Sequence, residues 1–125
     1  MKVIDASSVI DLLIGAPRLD AFLHLLDDDL FAPDLLVAEV HEYFRRRALR
    51  RPNESIDALI DAFRSADIAY LPTWPYAEHI WTWRHNLTSY DACYVAVARD
   101  LECPLLTSDR RLAAAASGIV PVIAV

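Results

Sequence analysis

Five short aliphatic runs alternate with longer segments of helical spacing from one end of this chain to the other. Val3-Ile4-Asp5, Leu30-Phe31-Ala32, Ile68–Leu71, Leu105-Leu106-Thr107 and residues 119–123 are rich in Val, Ile and Leu and lack polar alternation. A strand that is apolar on both faces must be covered on both, and strands joined through helices run parallel. The expected fold is therefore α/β: a three-layer α/β/α sandwich around a central parallel sheet of short strands. Pro121, inside the last run, marks that strand as a sheet edge, because proline has no N–H to give a ladder.

Local signals place the remaining elements. Ser7 or Ser8 is expected to cap a helix over 9–14, with Gly15 just past its end. Residues 19–26 read as a second short helix and 27–29 as a solvated turn. Pro33 is expected to close the second strand and Asp34 to cap a long helix to about Arg51, with Leu36, Val40, Tyr43, Phe44 and Ala48 at helical spacing. Pro52 stops that helix and Asn53 caps the next, about 54–66. Residues 76–85 are expected to be helical, Thr88 opens a helix through Asp100, and a last helix covers 109–117. No linker, repeat or low-complexity segment interrupts this order, and 125 residues fit one domain, 1–125.

Composition excludes several classes. A chain that is 55% hydrophobic and 24% charged is not disordered. Gly15 and Gly118 are its two glycines, too few for the phosphate-cradling loops that need close backbone approach. No apolar run approaches the ~18 residues of a membrane helix, and Asp5 arrives too early for a secretory signal. Cys93 and Cys103 form neither a CxxC nor a disulfide scaffold, so both are expected as buried thiols in a reducing cytoplasm. His24, His41, His79 and His85 lack zinc-ligand spacing, and no serine sits in a Gly-x-Ser-x-Gly elbow. The net charge of −6 by itself speaks against nucleic acid, because phosphate-binding surfaces are usually basic.

The position of the acids changes that reading. Ligands of an open parallel sheet bind beyond the carboxyl ends of its strands, and the following helices begin at that same edge. Asp5 ends the first strand. Glu39 lies about one and a half turns into the helix after the second. Asp91 is in the first turn of the helix opened by Thr88, and Asp109 sits where the fourth strand passes into a helix. Four carboxylates distant in sequence thus map to one edge, where mutual repulsion demands compensation. Helix N-termini supply part of it; a divalent cation with oxygen ligands would supply most. Asp109 also reads as an N-cap, Asp91 as the end of a Thr-x-x-Asp capping box, and Glu39 as an exposed helix glutamate. Asp5 is the sharpest of the four, since a carboxylate at the end of a buried strand is costly unless paired or coordinated. Ser7 can donate to such a carboxylate or cap a helix. Glu42, with Arg45 and Arg46 at helical pairing distance, reads as a surface ion pair, and Asp11 as solvent-facing.

The motifs carrying these acids resemble those of the PIN-domain ribonucleases. Val3-Ile4-Asp5-Ala6-Ser7-Ser8 resembles the first, Leu36-Val37-Ala38-Glu39-Val40 the second, Leu87-Thr88-Ser89-Tyr90-Asp91-Ala92 the third, and Leu106-Thr107-Ser108-Asp109 the fourth. Their order and the compact chain are similar to the toxin of VapBC-type toxin–antitoxin pairs. The resemblance implies a Mg2+- or Mn2+-dependent endoribonuclease that cleaves structured RNA, such as transfer or ribosomal RNA. It carries over Asp5, Glu39, Asp91 and Asp109 as the catalytic and metal-binding quartet, with Ser7 and Thr107 as supporting hydroxyls. It further implies a homodimer and an antitoxin whose C-terminal segment crosses the toxin. The helices over 9–14, 19–26 and 36–44 are the expected walls of that groove.

Other surfaces remain open to two readings. Five of the twelve basic residues lie in 45–51. Arg45, Arg46 and Arg50 there, with Arg110 after the fourth motif, are candidate RNA contacts; a solvated, dipole-complementing helix end is the alternative. Arg84 and Arg111 are further candidates. Trp74, Trp81 and Trp83 read as core or interface packing, or as base-stacking groups. A haloacid-dehalogenase-like phosphatase would need an aspartate where Ser7 stands. A two-component receiver domain would need a late lysine, and Lys2 is the one lysine present. Within the family, an RNA-maturation nuclease without an antitoxin and a non-catalytic PIN-fold interaction protein are the alternatives.

Overall fold

The computed structural model describes residues 1–15 and 28–125, so the expected helix over 19–26 and Asp27 of the expected turn lie outside the described residues. The strands are β1 (Lys2–Ile4), β2 (Leu30–Pro33), β3 (Ile68–Leu71), β4 (Leu105–Thr107) and β5 (Val122–Ala124). They form one sheet in the order β3-β2-β1-β4-β5, and every neighbouring pair is parallel. Val3 pairs with Phe31 on one side and Leu105 on the other. The connections leave β1 toward β2 and β3, and β4 lies on the opposite side. The order therefore reverses between β1 and β4, and a doubly wound sheet opens its ligand crevice at the carboxyl ends there.

The described helices are α1 (Ala6–Ile14), α2 (Leu35–Arg50), α3 (Asp57–Arg64), α4 (Ala77–Thr82), α5 (Ser89–Asp100) and α6 (Arg110–Ala116), with a 3-10 turn at Trp74–Tyr76. Successive strand residues face opposite sides of a sheet. Val3 and Ile4 are 0% and 1% exposed, so both faces of the central sheet are covered, as a three-layer α/β sandwich requires. The helix α5 packs on β1, β2 and β4. Every residue from Ala92 to Ala98 is buried, and its three alanines let the helix backbone approach the sheet closely. Each fully buried Val, Leu or Ile adds about 1.5–3 kcal/mol to burial, so β1, β4 and α5 form the rigid centre on which the carboxyl edge is built. The outer strand β3 is half-buried at Ile68 and Leu71 and exposed at Ala69 and Tyr70.

Several boundaries differ from the expectations. Asp5, not Ser7 or Ser8, caps α1: it accepts a hydrogen bond from the Ser8 N–H at 3.0 Å, and the helix starts at Ala6. Gly15 ends α1 with φ 65°, the left-handed conformation that glycine adopts without a Cβ clash. Pro33 is the last residue of β2, and Asp34 stands before α2 in helical conformation without a side-chain cap. Asn53 caps nothing; α3 begins later, at Asp57, whose N–H meets the Ser55 hydroxyl at 3.4 Å. The segment expected as a helix over 76–85 tightens into the 3-10 turn around Pro75, then α4 through Thr82. Residues 119–121 are not strand, because the Ile119 and Val120 N–H groups bond back to the Ala116 carbonyl closing α6. The fifth strand starts after Pro121, whose carbonyl accepts from Leu105 N–H at 2.9 Å. Cys93 and Cys103 are buried free thiols, as expected. Among the described residues no helix is long and apolar enough to cross a membrane.

Candidate active site

The crevice between β1 and β4 is built from hydroxyls arranged around one carboxylate. Asp5, immediately after β1, is 4% exposed. It receives Ser8 N–H at 3.0 Å, Thr107 Oγ1 at 2.6 Å, and Ser7 Oγ at 2.8 Å from each carboxylate oxygen. Thr107 is itself fully buried at the end of β4. Its oxygen also accepts the Asp109 N–H at 3.0 Å, so one threonine ties the β1 acid to the β4 acid. The Ser108 hydroxyl bonds Ser7 Oγ at 3.1 Å, and Ser8 Oγ bonds the Leu106 carbonyl at 3.3 Å. With the Asp5 N–H donating to the Leu106 carbonyl at 3.2 Å, these bonds fasten the start of α1 to the end of β4.

Three further acids surround this group. Asp109 caps α6 by accepting Arg111 and Leu112 N–H at 2.9 and 3.2 Å through Oδ1. Asp91 stands in the first turn of α5, and its N–H is capped by Thr88 Oγ1 at 3.1 Å. Thus the capping readings of Asp109 and Thr88 hold, and these caps are also what place the acids at the edge. Glu39, on α2, accepts the Tyr94 hydroxyl of α5 at 2.7 Å.

Electrostatics joins the four. Burial pushes the Asp5 carboxyl above the ordinary range against the pull of its hydrogen bonds. Burial also raises Glu39, and the negative charges of Asp91 and Asp5 raise it further. Asp91 is raised first by burial, then by Asp109 and Asp5, with Arg111 pulling the other way. Burial is the main cause of each shift, and at Glu39 and Asp91 the neighbouring acids add to it. Among the described residues none of the four acids forms an ion pair.

The donor set is entirely oxygen, which suits a hard divalent cation such as Mg2+ or Mn2+. Among the described residues no three carboxylate, imidazole or thiolate groups enclose a ready-made metal cage. Mg2+ retains several waters and takes one or two carboxylates directly. The arrangement therefore fits an ion held directly by one or two acids, with the others reaching it through water.

The basic candidates divide. Arg45 and Arg46 both engage Glu42, at 2.7 and 3.1 Å, and hold its carboxyl down at about 2; the surface-pair reading of Glu42 is correct. Arg46 and Arg50 also line, with Glu39, Glu42, Tyr43 and Tyr90, a cleft of about 580 Å³ along α2. Arg110 is exposed beside Thr107, Ser108 and Asp109 at a smaller cleft of about 220 Å³. The core reading of the tryptophans fails for two of them: Trp74 and Trp81 are 81% and 69% exposed. Trp83 is half-buried and stacks on His79 at 5.1 Å. Asp11 is half-buried rather than solvent-facing. Sequence reasoning passed over Tyr94 and Ser108. Tyr94 follows Asp91 by three residues on one helical face, and Ser108 lies between Thr107 and Asp109; those spacings were the available signals.

Known proteins resemble this chain over most of its length. The family model of the PIN domain matches residues 2–118. Ribonuclease VapC1 of Mycobacterium tuberculosis is 42% identical over 118 residues, covering 90% of this chain and 89% of that protein. Ribonuclease VapC9 of the same species is 32% identical over 124 residues, covering 98% and 96%. Among solved structures, PAE2754 from Pyrobaculum aerophilum superposes with a TM-score of 0.67 at 22% identity, over 96% of this chain and 82% of that one. FitAcB from Neisseria gonorrhoeae gives 0.58 at 22% identity, over 98% and 96%. These structural likenesses establish the fold.

Proposed function

The chain belongs to the PIN-domain family, among its VapC-type ribonucleases, and from that premise we propose that it is a divalent-metal-dependent endoribonuclease, the toxin of a toxin–antitoxin pair. The observation that carries this reading is Asp5: a buried carboxylate at the β1/β4 switch point with three donors making four hydrogen bonds to it, three acids nearby, and no ion-pair partner among the described residues. A protein keeps such a charge uncompensated where a bound cation completes it.

In this proposal Asp5 and Asp109 hold Mg2+ or Mn2+ directly, and Asp91 and Glu39 hold or orient waters around it. Bound there, a divalent ion lowers the pKa of an attacking water and stabilises charge at the scissile phosphate. Ser7, the Ser8 N–H and Thr107 fix the Asp5 carboxylate, and Ser108 steadies Ser7. Arg46, Arg50 and Arg110, with Arg45 at the rim, meet phosphates of the RNA on either side of the acids. The net charge of −6 then partly reflects the site: taking the four acids away leaves −2.

The substrate we propose is structured RNA of the transfer or ribosomal class, in the cytoplasm, where two free buried thiols persist. The partner is an antitoxin lying across the groove beside α1 and α2 and ending in a basic side chain among the acids. The acting form is a homodimer of single domains spanning 1–125.

Incubating the purified chain with transfer and ribosomal RNA tests the reading. Cleavage with Mg2+ or Mn2+, abolished by EDTA and by Asp5→Asn, is expected; equal cleavage by D5N at matched purity would refute it. A small adjacent gene for a DNA-binding protein that suppresses the cleavage is expected for the toxin role, and its absence favours an RNA-maturation nuclease.

A further inference from the structure

Tyr94 is the largest fully buried side chain among the described residues, at 1% exposure. Phenylalanine would fill that position with no polar atom to satisfy, so the hydroxyl has to find a partner in the interior. Its partner is Glu39 Oε1, at 2.7 Å, across the gap between α5 and α2. The two ends of this bond are anchored very differently. The Tyr94 ring is locked into the core on a helix buried from Ala92 to Ala98. Glu39 rides a half-buried face of α2 on a side chain with three rotatable bonds.

Asp5 is held by Ser7, Ser8 and Thr107 together. Among the described residues Glu39 has one side-chain hydrogen bond, from Tyr94, and it engages Oε1 alone. The same helix delivers Asp91 one turn earlier, so α5 sets both an acid of the site and the group that aims another.

We propose that Tyr94 is a positioning residue of the metal centre: its hydroxyl pins Glu39 Oε1 and leaves Oε2 as the oxygen offered to the ion or its waters. This inference rests on the metallonuclease reading above. Hydrogen bonds of this outer kind orient ligand groups before the metal arrives, and their loss weakens metal binding without removing a ligand.

The molecule contains its own control. Tyr76 donates to Asp100 Oδ2 at 2.8 Å, a second tyrosine–carboxylate bond at the opposite end of α5. Mn2+ binding to the purified chain, followed by electron paramagnetic resonance and calorimetry, separates the two. Tyr94→Phe is expected to weaken Mn2+ binding about 10–100-fold, while Tyr76→Phe leaves it unchanged. In an E39A background Y94F is expected to add no further loss, because both act through one group.

A measurement on the unsubstituted protein covers failure of Y94F to fold. With tyrosines labelled at Cζ, Mg2+ is expected to shift the Tyr94 carbon resonance and leave that of Tyr76 in place. Wild-type binding with an unchanged Y94F affinity, or an unmoved Tyr94 resonance on Mg2+ saturation, overturns this inference alone. Failure of the wild-type chain to bind Mn2+ at all overturns the metallonuclease reading and this inference with it.

Discussion

Glu39 and Glu42 stand one turn apart on α2 and meet opposite fates. Glu42 is gripped by the Arg45 and Arg46 guanidinium groups, which hold its carboxyl down at about 2. Glu39 has a tyrosine hydroxyl and the repulsion of Asp91 and Asp5, and burial pushes its carboxyl up. The chain had arginines to spend on this helix and spent them at 42 and 54: Arg47 and Arg51 pair with Glu54 in the same way. Along α2 the charge of Glu42 is balanced by arginines where it faces solvent, and Glu39 at the crevice has no ion pair among the described residues. The difference separates an acid paired at the surface from one that we propose serves a ligand, although both are glutamates of the same helix.

Substitutions at the crevice should have the largest effects. Asp5→Asn preserves the helix cap, since asparagine caps as well as aspartate, but removes the central charge. RNA cleavage at saturating Mg2+ is expected to fall by about 10²–10³-fold or more, the size of losing a principal electrostatic group. A smaller loss would place the chemistry elsewhere.

Next comes a pH dependence of opposite sign at the two places. The raised carboxyls of Asp5, Glu39 and Asp91 contribute stability that is fully present below the unfolded-state value of ~4 and lost as pH rises through their folded values. Without metal, their share of the melting temperature therefore declines from acid toward neutral pH. Mg2+ at neutral pH should restore it, and D5N should flatten the decline. The Glu42 pairs, lowered to about 2, contribute above ~4.3 and fade only as pH falls through that lower value. A melting curve for metal-free protein that lacks the acid-side gain, after correction through D5N, would break the contrast.

Smaller effects are expected along the cleft. Arg46→Gln and Arg50→Gln should each weaken RNA binding and lower the dependence of log K on log salt by about 1, with turnover at saturation unchanged. A fall in turnover with unchanged binding would move these arginines from substrate holding to chemistry. Glu42→Gln is the smallest: Mn2+ affinity and cleavage should be unaltered, and exposed pairs of this kind contribute little to stability.

The fold was legible because strands apolar on both faces admit few solutions. The switch-point acids were legible because strand ends and helix starts can be counted along the chain. What was not legible was local and polar. Asp5 replaces Ser7 and Ser8 as the cap because a strand-end carboxylate already lies over the first turn of α1. Pro121 precedes the fifth strand because the Ile119 and Val120 N–H groups are taken by Ala116. Trp74 and Trp81, read as core or interface packing, stand exposed in the 3-10 turn and α4. Tyr94 was hidden because its importance depends on a partner 55 residues away on another helix.

In the proposed site the unbalanced acids, not the paired ones, receive a divalent ion. Diffraction from Mn2+-soaked crystals at the manganese edge locates the ion directly. An anomalous peak beside Asp5 and Asp109, absent from D5N crystals, is the predicted result. A peak elsewhere, or no change on D5N substitution, would contradict it.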